Sequence, residues 1–254
     1  MQTLGITSFW NGVRRLPNDL KVIFDPQRII NELVSLRPFT LILLVLMTIT
    51  NMIVFIFAKD FSWLGWVGLA TTISTVINLI LVDQGRITNY FWGLISVTVW
   101  LIIAAVNHLI GDIAAQLFYW IMQFVGLSVW NAEINHQSDN QELTARKMTF
   151  VQGVCWAIVC IVSYLIVLHF SKALNGTQIY LDAALLPLGI VGQILMTYGY
   201  SSQWVAWIIL NVISLVIWFN QFQALSPAST TMLALQIMKL INSIYGYWLW
   251  RHNE

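Results

Sequence analysis

Amide and aromatic side chains recur at helical spacing inside two apolar segments of the chain. The first set shares one helix face and comprises Gln116, Tyr119, Gln123 and Trp130. The second set repeats nearly the same stagger and comprises Trp204, Trp207, Asn211 and Trp218. A side-chain amide in hydrocarbon loses several kcal/mol unless it finds a hydrogen bond. We therefore expect both faces to look into the interior of a helix bundle, toward other helices or a solute.

Trp207 and Asn211 are one helical turn apart and deep within their segment. A stacking face beside an amide suits a flat heteroaromatic ring that carries a carboxamide or a similar group. If that ring is cationic, a Trp face adds an attraction of about 0.5–2 kcal/mol. For any single amide, hydrogen bonding between helices is the alternative interpretation. Four tryptophans near segment ends are expected in the interfacial aromatic belt: Trp130, Trp218, Trp248 and Trp250.

The sequence holds none of the common enzyme signatures, HExxH, GxSxG, GxxxxGK[ST] or GxGxxG. Asp83, Asp112 and Asp182 lie at segment ends, where helix capping or headgroup contact would account for them. Carriers driven by protons or sodium usually need ionisable groups inside the membrane. We therefore predict a chain that is not an enzyme, has no metal or cofactor, and moves its solute passively. A net charge of +1 gives no reason to expect a nucleic-acid partner.

Composition decides the class of the elements that carry these residues. The chain is 58% hydrophobic and 9% charged, with a mean hydropathy of +0.74, and so lacks the polar surface of a soluble domain. Runs of about twenty apolar residues span a bilayer as helices. We predict an all-α polytopic membrane protein with eight transmembrane helices, at residues 38–58, 63–83, 90–106, 112–131, 149–170, 179–200, 203–222 and 229–250.

Residues 1–37 form a mixed N-terminal segment, within which 17–36 alternate charge with Val, Ile and Leu. This pattern predicts a short amphipathic helix on the cytoplasmic membrane surface. With the N-terminus inside, nine Lys and Arg residues lie in inside segments and two, Lys59 and Lys172, lie outside. The positive-inside rule then places both termini in the cytoplasm of a cell with this protein in its plasma or inner membrane.

A weak internal repeat relates two parts of the sequence. Gly126 and Trp130 recur as Gly246 and Trp250, 120 residues later, and the turn before 93 resembles the turn before 207. We expect two three-helix repeats, 63–131 and 179–250, joined by a connecting helix at 149–170, with 38–58 as an additional helix. An even number of spans separates the copies, so they run parallel. Transporters built this way bind substrate between their halves.

Three stretches, in order, resemble motifs of the PnuC-type nicotinamide riboside transporters. Residues 84–93 (QGRITNYFWG) are similar to the KGxxxNYxxG turn of that family. Residues 111–130 (GDIAAQLFYWIMQFVGLSVW) resemble its GD…NxxYxxxQxxGWxxW span, and residues 203–218 (QWVAWIILNVISLVIW) resemble its QWxxWxxxN span. The resemblance extends from about residue 63 to residue 250.

The resemblance implies seven core helices in a three-plus-one-plus-three plan, like the SWEET transporters but with full-length parallel repeats. It further implies facilitated diffusion of nicotinamide riboside, trapping of the product by phosphorylation, and assembly as homotrimers. The substrate-binding residues carried over from the motifs are Gln116, Tyr119, Gln123, Trp204, Trp207, Asn211 and Asn89.

The chain departs from the family pattern at Gln84, where Lys is usual, at Gln116, where Asn is usual, and at Leu127, where Trp is usual. The last two lie on or beside the expected site, so thiamine or a deoxynucleoside remains an alternative cargo. A further alternative is a membrane receptor or scaffold that transports nothing and binds partners through the polar loop at 132–148.

Overall fold

A computed structural model of the chain describes residues 6–136, 142–173 and 178–252, which form ten helices and no regular strand. The second helix has nine residues, and the other nine have 18 to 27 residues. In chain order they are α1 (Ile6–Ile23), α2 (Pro26–Val34), α3 (Pro38–Ala58), α4 (Trp63–Asp83), α5 (Asn89–Val106), α6 (Ile110–His136), α7 (Phe150–Ala173), α8 (Ile179–Thr197), α9 (Gln203–Gln223) and α10 (Ser229–His252).

Each predicted span corresponds to one long helix, and the all-helical class is confirmed. The bounds differ most at α6, which continues to His136 and shortens the loop predicted at 132–148. Seven helices, α3 to α9, are long and apolar enough to cross a membrane. Since α10 carries Gln236, Lys239 and Asn242 in its middle, its hydropathy is lower, and an eighth crossing stays a prediction.

The N-terminal segment differs from its prediction. A single amphipathic helix over 17–36 is wrong, because Asp25 caps a second helix whose first residue is Pro26, and the chain bends between the two. A proline is favoured at the first position of a helix, where its missing N–H is not needed. Ile23 is fully buried, and the Asn131 amide donates to the Asp19 carboxylate at 2.8 Å, so α1 packs on α6.

Six helices close into a ring, which we call the six-helix ring. In order around it, each helix packs on the next: α4, α5, α6, α8, α9, α10 and again α4. Two contacts, α6 with α8 and α10 with α4, join the three helices before α7 to the three after it. The remaining long helices lie outside the ring, with α7 on α8 and α3 on α4 and α10. A solute that crosses the protein must therefore pass through the ring.

One end of the ring, which we call the turn end, is defined by two glycine turns. Gly85 follows α4 with φ of 63° and Gly199 follows α8 with φ of 71°, a conformation that glycine adopts without strain. Segment 142–146 lies across both turns. The Leu143 amide donates to the Gly85 carbonyl at 3.2 Å, and the Arg146 amide donates to the Gly199 carbonyl at 2.7 Å. This segment thus links the two groups of three helices.

Matched aromatic contacts recur in the two groups of helices. The Tyr90 ring lies against Gly126 and meets Trp130 edge to face, with ring centroids 5.3 Å apart. The Trp204 ring lies against Gly246 and meets Trp250 in the same way at 6.1 Å. The Trp130 indole N–H donates to the Met196 carbonyl in the last turn of α8. The Trp250 indole N–H donates to the Asp83 carbonyl in the last turn of α4.

These contacts correct the assignment of four tryptophans to the aromatic belt. Trp130, Trp218 and Trp250 are buried within the protein, whereas Trp248 is 54% exposed and fits the predicted belt position. A Trp near the end of a span can lie at the membrane interface or pack inside the protein. The sequence alone does not show that Gly126 makes room for the Tyr90 ring and Gly246 for the Trp204 ring.

We predict that Trp250→Phe destabilises the protein, because the Asp83 carbonyl loses the indole N–H that lies 3.0 Å from it. A buried carbonyl without a partner costs about 1–3 kcal/mol. Trp130→Phe should have a similar effect through Met196, and Trp248→Phe is the exposed control. Thermal unfolding in detergent measures all three. Equal melting temperatures for the three variants would contradict the role given to the two buried indoles.

Candidate functional site

An aromatic pair lies at the centre of the predicted site. Tyr119 of α6 and Trp207 of α9 approach with ring centroids 6.0 Å apart and planes inclined at 56°. Two glycines of α8 make room for them: the Tyr119 hydroxyl lies against Gly189, and the Trp207 ring lies against Gly192. The rings therefore depend on three helices, and Trp207 remains partly exposed within the ring of helices.

Asn211 lies one turn from Trp207 and is almost fully buried. Its amide nitrogen donates to the Ser243 hydroxyl at 2.7 Å and to the Lys239 carbonyl at 3.3 Å, which ties α9 to α10. Its oxygen finds no hydrogen-bond partner among the described residues. The amide is thus held in one orientation by the protein and keeps an acceptor available.

Gln123 lies one turn after Tyr119 on α6. Its amide lies against Gly93 of α5, beside the Asn78 amide of α4, and its oxygen has no partner within the described ranges. Asn78 donates to the carbonyl of Asn89 at 2.7 Å, so α4 and α5 are joined next to this amide. The absence of a side chain at position 93 is what allows the glutamine to reach this place.

Gln116 belongs to a separate buried cluster, closer to the end opposite the turn end. It donates to the Asp112 carboxylate at 2.9 Å, and the Trp100 indole donates to the other oxygen of Asp112 at 2.8 Å. Asp182 of α8 accepts from the backbone N–H groups of Gly111 and Asp112 at 2.5 and 3.1 Å. A carboxylate from one helix therefore caps the start of another, where it also complements the helix dipole.

The three carboxylates at span ends are buried, so the expected headgroup contact is wrong for each of them. Asp83, Asp112 and Asp182 are all about 2–3% exposed. Capping was the correct alternative for Asp182, although the helix that it caps is not its own. Asp83 instead accepts from the Asn242 amide at 3.2 Å, which joins α4 to α10 near the turn end.

Asn89 and Trp204 lie nearer the turn end than the Tyr119–Trp207 pair. The Asn89 amide donates to the Arg86 carbonyl and so closes the turn between α4 and α5. Trp204 is wedged between Gly246 and Trp250, and its indole N–H has no partner in the described part of the chain. Of the predicted residues, the structure brings together Tyr119, Trp207 and Asn211, with Gln123 and Gln116 on adjoining parts of the same interior.

Several buried amide and indole atoms of the ring interior have no hydrogen-bond partner among the described residues. They belong to Gln123, Gln193, Gln203, Trp204, Asn211 and Gln236. Buried polar groups in proteins are nearly always hydrogen-bonded to protein or to water. An interior with this many free donors and acceptors, next to two aromatic rings, suits a flat polar solute.

Comparison with known proteins shows the family of the chain. The family described as nicotinamide mononucleotide transporter matches residues 62–252. The chain belongs to this transporter family. Its relatives include the nicotinamide riboside transporters PnuC of Neisseria mucosa, 29% identical over 78% of this chain and 75% of that one, and of Haemophilus influenzae, 28% identical over 84% and 90%. The Escherichia coli transporter of the same name is 30% identical over 64% and 76%.

A solved structure has the same fold. The crystal structure of the vitamin B3 transporter PnuC superposes with a TM-score of 0.77 at 25% identity and covers 87% of this chain and 95% of its own. The resemblance inferred from the three motifs is thereby confirmed, and so is membership of a multi-pass membrane transporter family.

The departures from the family pattern fall in different surroundings. Leu127 is buried in an apolar cluster with Tyr90 and Trp130, against which Trp207 packs. Gln84 is buried at the turn end, and neither atom of its amide has a partner within the described residues. Gln116 donates to the buried Asp112 carboxylate.

Lys239 of α10 also belongs to this interior, although none of the three motifs includes it. Its backbone carbonyl accepts from Asn211, and its ammonium lies over the face of Trp100 at 4.5 Å from the ring centroid. A signal was present, since a lysine in the middle of an apolar segment is costly in a membrane and usually has a function.

We predict that Gly93→Ala lowers the affinity for solute by about tenfold or more, because a methyl group at this position collides with the Gln123 amide. The neighbouring atoms are the ends of flexible side chains, so the protein should still fold. Calorimetry with nicotinamide riboside, the solute named for the relatives, measures the effect. Gly153→Ala is the control, since the nearest atom there is the Met148 sulfur at 3.9 Å. Equal affinities in the two variants would remove Gln123 from the site.

Proposed function

We propose that this protein carries nicotinamide riboside into the cell. The observation that carries the proposal is the Tyr119–Trp207 pair, one turn from an Asn211 amide whose nitrogen is fixed and whose oxygen is free. A pyridinium ring can stack on Trp207, and a carboxamide can hydrogen-bond to Asn211 or Gln123. The family membership supports the same cargo.

The proposed binding residues are those inferred from the motifs, with different roles. Tyr119 and Trp207 provide the stacking faces, and Asn211, Gln123 and Gln116 provide polar contacts. Trp204 and Asn89 lie nearer the turn end, where they would meet the solute as it enters or leaves. The list of binding residues is Gln116, Tyr119, Gln123, Trp204, Trp207, Asn211 and Asn89.

We propose that the transport domain consists of two parallel three-helix repeats, 63–131 and 179–250, within a total of eight crossings. In support, α6 contacts α8 as α10 contacts α4, and α7 packs on α8 as α3 packs on α4. The matched contacts around Gly126 and Gly246 point the same way. Residues 149–170 would connect the repeats, and 38–58 would be the additional helix. Alternating access would then be a rocking of one repeat against the other.

We propose a plasma or inner membrane location with residues 1–37 and both termini in the cytoplasm. The basic residues support this orientation. Arg37, Arg86 and Arg146 lie at the turn end, together with the last turn of α10, whereas Lys59 and Lys172 lie at the opposite end. Positive charge accumulates on the cytoplasmic side of membrane proteins.

A homotrimer is the assembly that we propose. The described part of α7 presents exposed apolar residues along its length, and α3 does so on its outer face. Such faces are suited to lipid or to another copy of the chain.

The function is tested by uptake of radiolabelled nicotinamide riboside into proteoliposomes that contain a riboside kinase and ATP as a trap. We expect saturable uptake that unlabelled nicotinamide riboside blocks and thiamine, thymidine and nicotinamide do not. Trp207→Ala and Asn211→Ala should each abolish it, because they remove a stacking face and a fixed amide. Trp248→Ala, at an exposed position, is the matched control.

Two outcomes would contradict the proposal. Uptake blocked by thiamine or thymidine, and not by the riboside, would keep the site and change the cargo. Absence of flux for every solute, in a protein that is folded and inserted, would favour a receptor or scaffold.

We propose that the movement is passive. Passive movement was first predicted because the spans lacked buried ionisable groups, and the burial of three carboxylates removes that reason. However, Asp112 and Asp182 both accept hydrogen bonds from protein donors. Initial uptake by liposomes without a trap should therefore be unchanged when ionophores collapse the proton and sodium gradients. A loss of more than half of the initial rate would overturn this part of the proposal.

A further inference from the structure

Lys239 brings a charge into the middle of the six-helix ring. It lies near the centre of α10, ten residues after Ser229, and a helical side chain leans toward the N-terminal end of its helix. For α10 that end is opposite the turn end, where Asp112 and Gln116 lie. The ammonium rests on the face of Trp100 at 4.5 Å, which gives the cation an attraction that requires no anion.

The Lys239 ammonium and the Asp112 carboxylate both contact Trp100, one at the ring face and the other at the indole N–H, so the two charges lie near each other. The two groups do not form a direct ion pair, since no ion pair within 4.0 Å among the described residues includes Lys239. Asp112 is fixed by Trp100 and Gln116, one donor on each oxygen, and Lys239 is positioned by the same Trp100. The two opposite charges are therefore held apart by the protein.

An ammonium and a carboxylate that are held apart favour one kind of solute group in the space between them. A second cation is repelled by Lys239, and a second anion is repelled by Asp112. A hydroxyl is neutral, accepts a hydrogen bond from an ammonium and donates one to a carboxylate, whose oxygens can each accept more than one. An alcohol group of a solute thus satisfies both charges at once.

We propose that Lys239 is a specificity-determining residue that binds a sugar hydroxyl of the transported nucleoside, together with Asp112. The Lys239 carbonyl is one hydrogen bond from Asn211, so the hydroxyl site adjoins the proposed ring site. With the aromatic ring on Trp207, the sugar extends toward Trp100 and the end opposite the turn end. The inference rests on the proposed function and assigns to it a requirement for a ribose hydroxyl.

The test compares nicotinamide riboside with its 2′-deoxy, 3′-deoxy and 5′-deoxy analogues on the wild type and on Lys239→Met. The methionine keeps the length of the side chain and removes its charge. In the wild type, at least one analogue should bind about tenfold or more weakly than the riboside, the loss expected for a hydrogen bond to a charged group. In Lys239→Met the same ratio should fall to near one. Calorimetry and proteoliposome uptake both measure it.

Two further variants sharpen the comparison. Lys172→Met is the matched control, since Lys172 also lies over an aromatic ring, Tyr180, at 5.3 Å but is exposed. In Lys172→Met, the ratio of the affinity for the riboside to that for the deoxy analogue should equal the wild-type ratio. Lys239→Arg keeps the charge but reaches further toward Asp112, so it should lower the affinity for the riboside and leave that for the discriminated analogue nearly unchanged. This variant also serves if Lys239→Met does not fold.

The outcomes separate this inference from the function on which it rests. Wild-type protein that binds no riboside overturns the proposed cargo. Wild-type protein that binds the riboside while Lys239→Met retains the full discrimination against every deoxy analogue overturns the role of Lys239 alone. Loss of discrimination in Lys239→Met, with the control unchanged, supports both.

Discussion

The interior of this protein is governed by the cost of a polar group that lacks a hydrogen bond where water is excluded. The start of α6 shows how the sequence meets that cost. Its first backbone N–H groups are satisfied by Asp182 of α8, and the next acidic residue, Asp112, is satisfied by Trp100 and Gln116. The bonds to Asp182 join α6 to α8, and the bond from Trp100 joins α5 to α6, so satisfying these polar groups also fixes the helices around the site. Among the described residues, the buried atoms without a partner include the side-chain oxygens of Gln123 and Asn211.

The same constraint decides where the six-helix ring can open. The two halves meet at α6 with α8 and at α10 with α4, and each junction carries polar contacts. At the end opposite the turn end, Asp182 joins α8 to α6. At the turn end, the Trp130 indole joins α6 to α8, and the Trp250 indole and Asn242 join α10 to α4. Segment 142–146 adds a link between the Gly85 and Gly199 turns. In a rocking motion of the proposed repeats, the contacts of one end would break while those of the other remain, so that the solute meets one side of the membrane at a time.

Sequence reasoning was most successful where the signal is apolar length, and it failed where contacts between helices decide. The bounds of α3 and α4 were predicted correctly, because a bilayer requires about twenty apolar residues and polar turns end them. The three motifs identified the family and placed Tyr119, Trp207 and Asn211 on inward faces. Burial of Asp112 could not be predicted, because its partners Trp100 and Lys239 come from other helices. The break at Asp25 and Pro26 was a readable capping signal that the charge pattern obscured.

The asymmetry of the site follows from an exchange of side-chain size between the proposed repeats. Counted from the equivalent turns at Gly85 and Gly199, position 78 corresponds to 192 and position 93 to 207. The first half has Asn78 opposite Gly93, and the space above the glycine receives the Gln123 amide. The second half has Gly192 opposite Trp207, and the glycine now lies beneath the indole. At this pair of positions the first half therefore has amides and the second has an indole. In the proposed site the first half would thus offer a solute hydrogen-bonding groups at these positions, and the second half would offer a flat face.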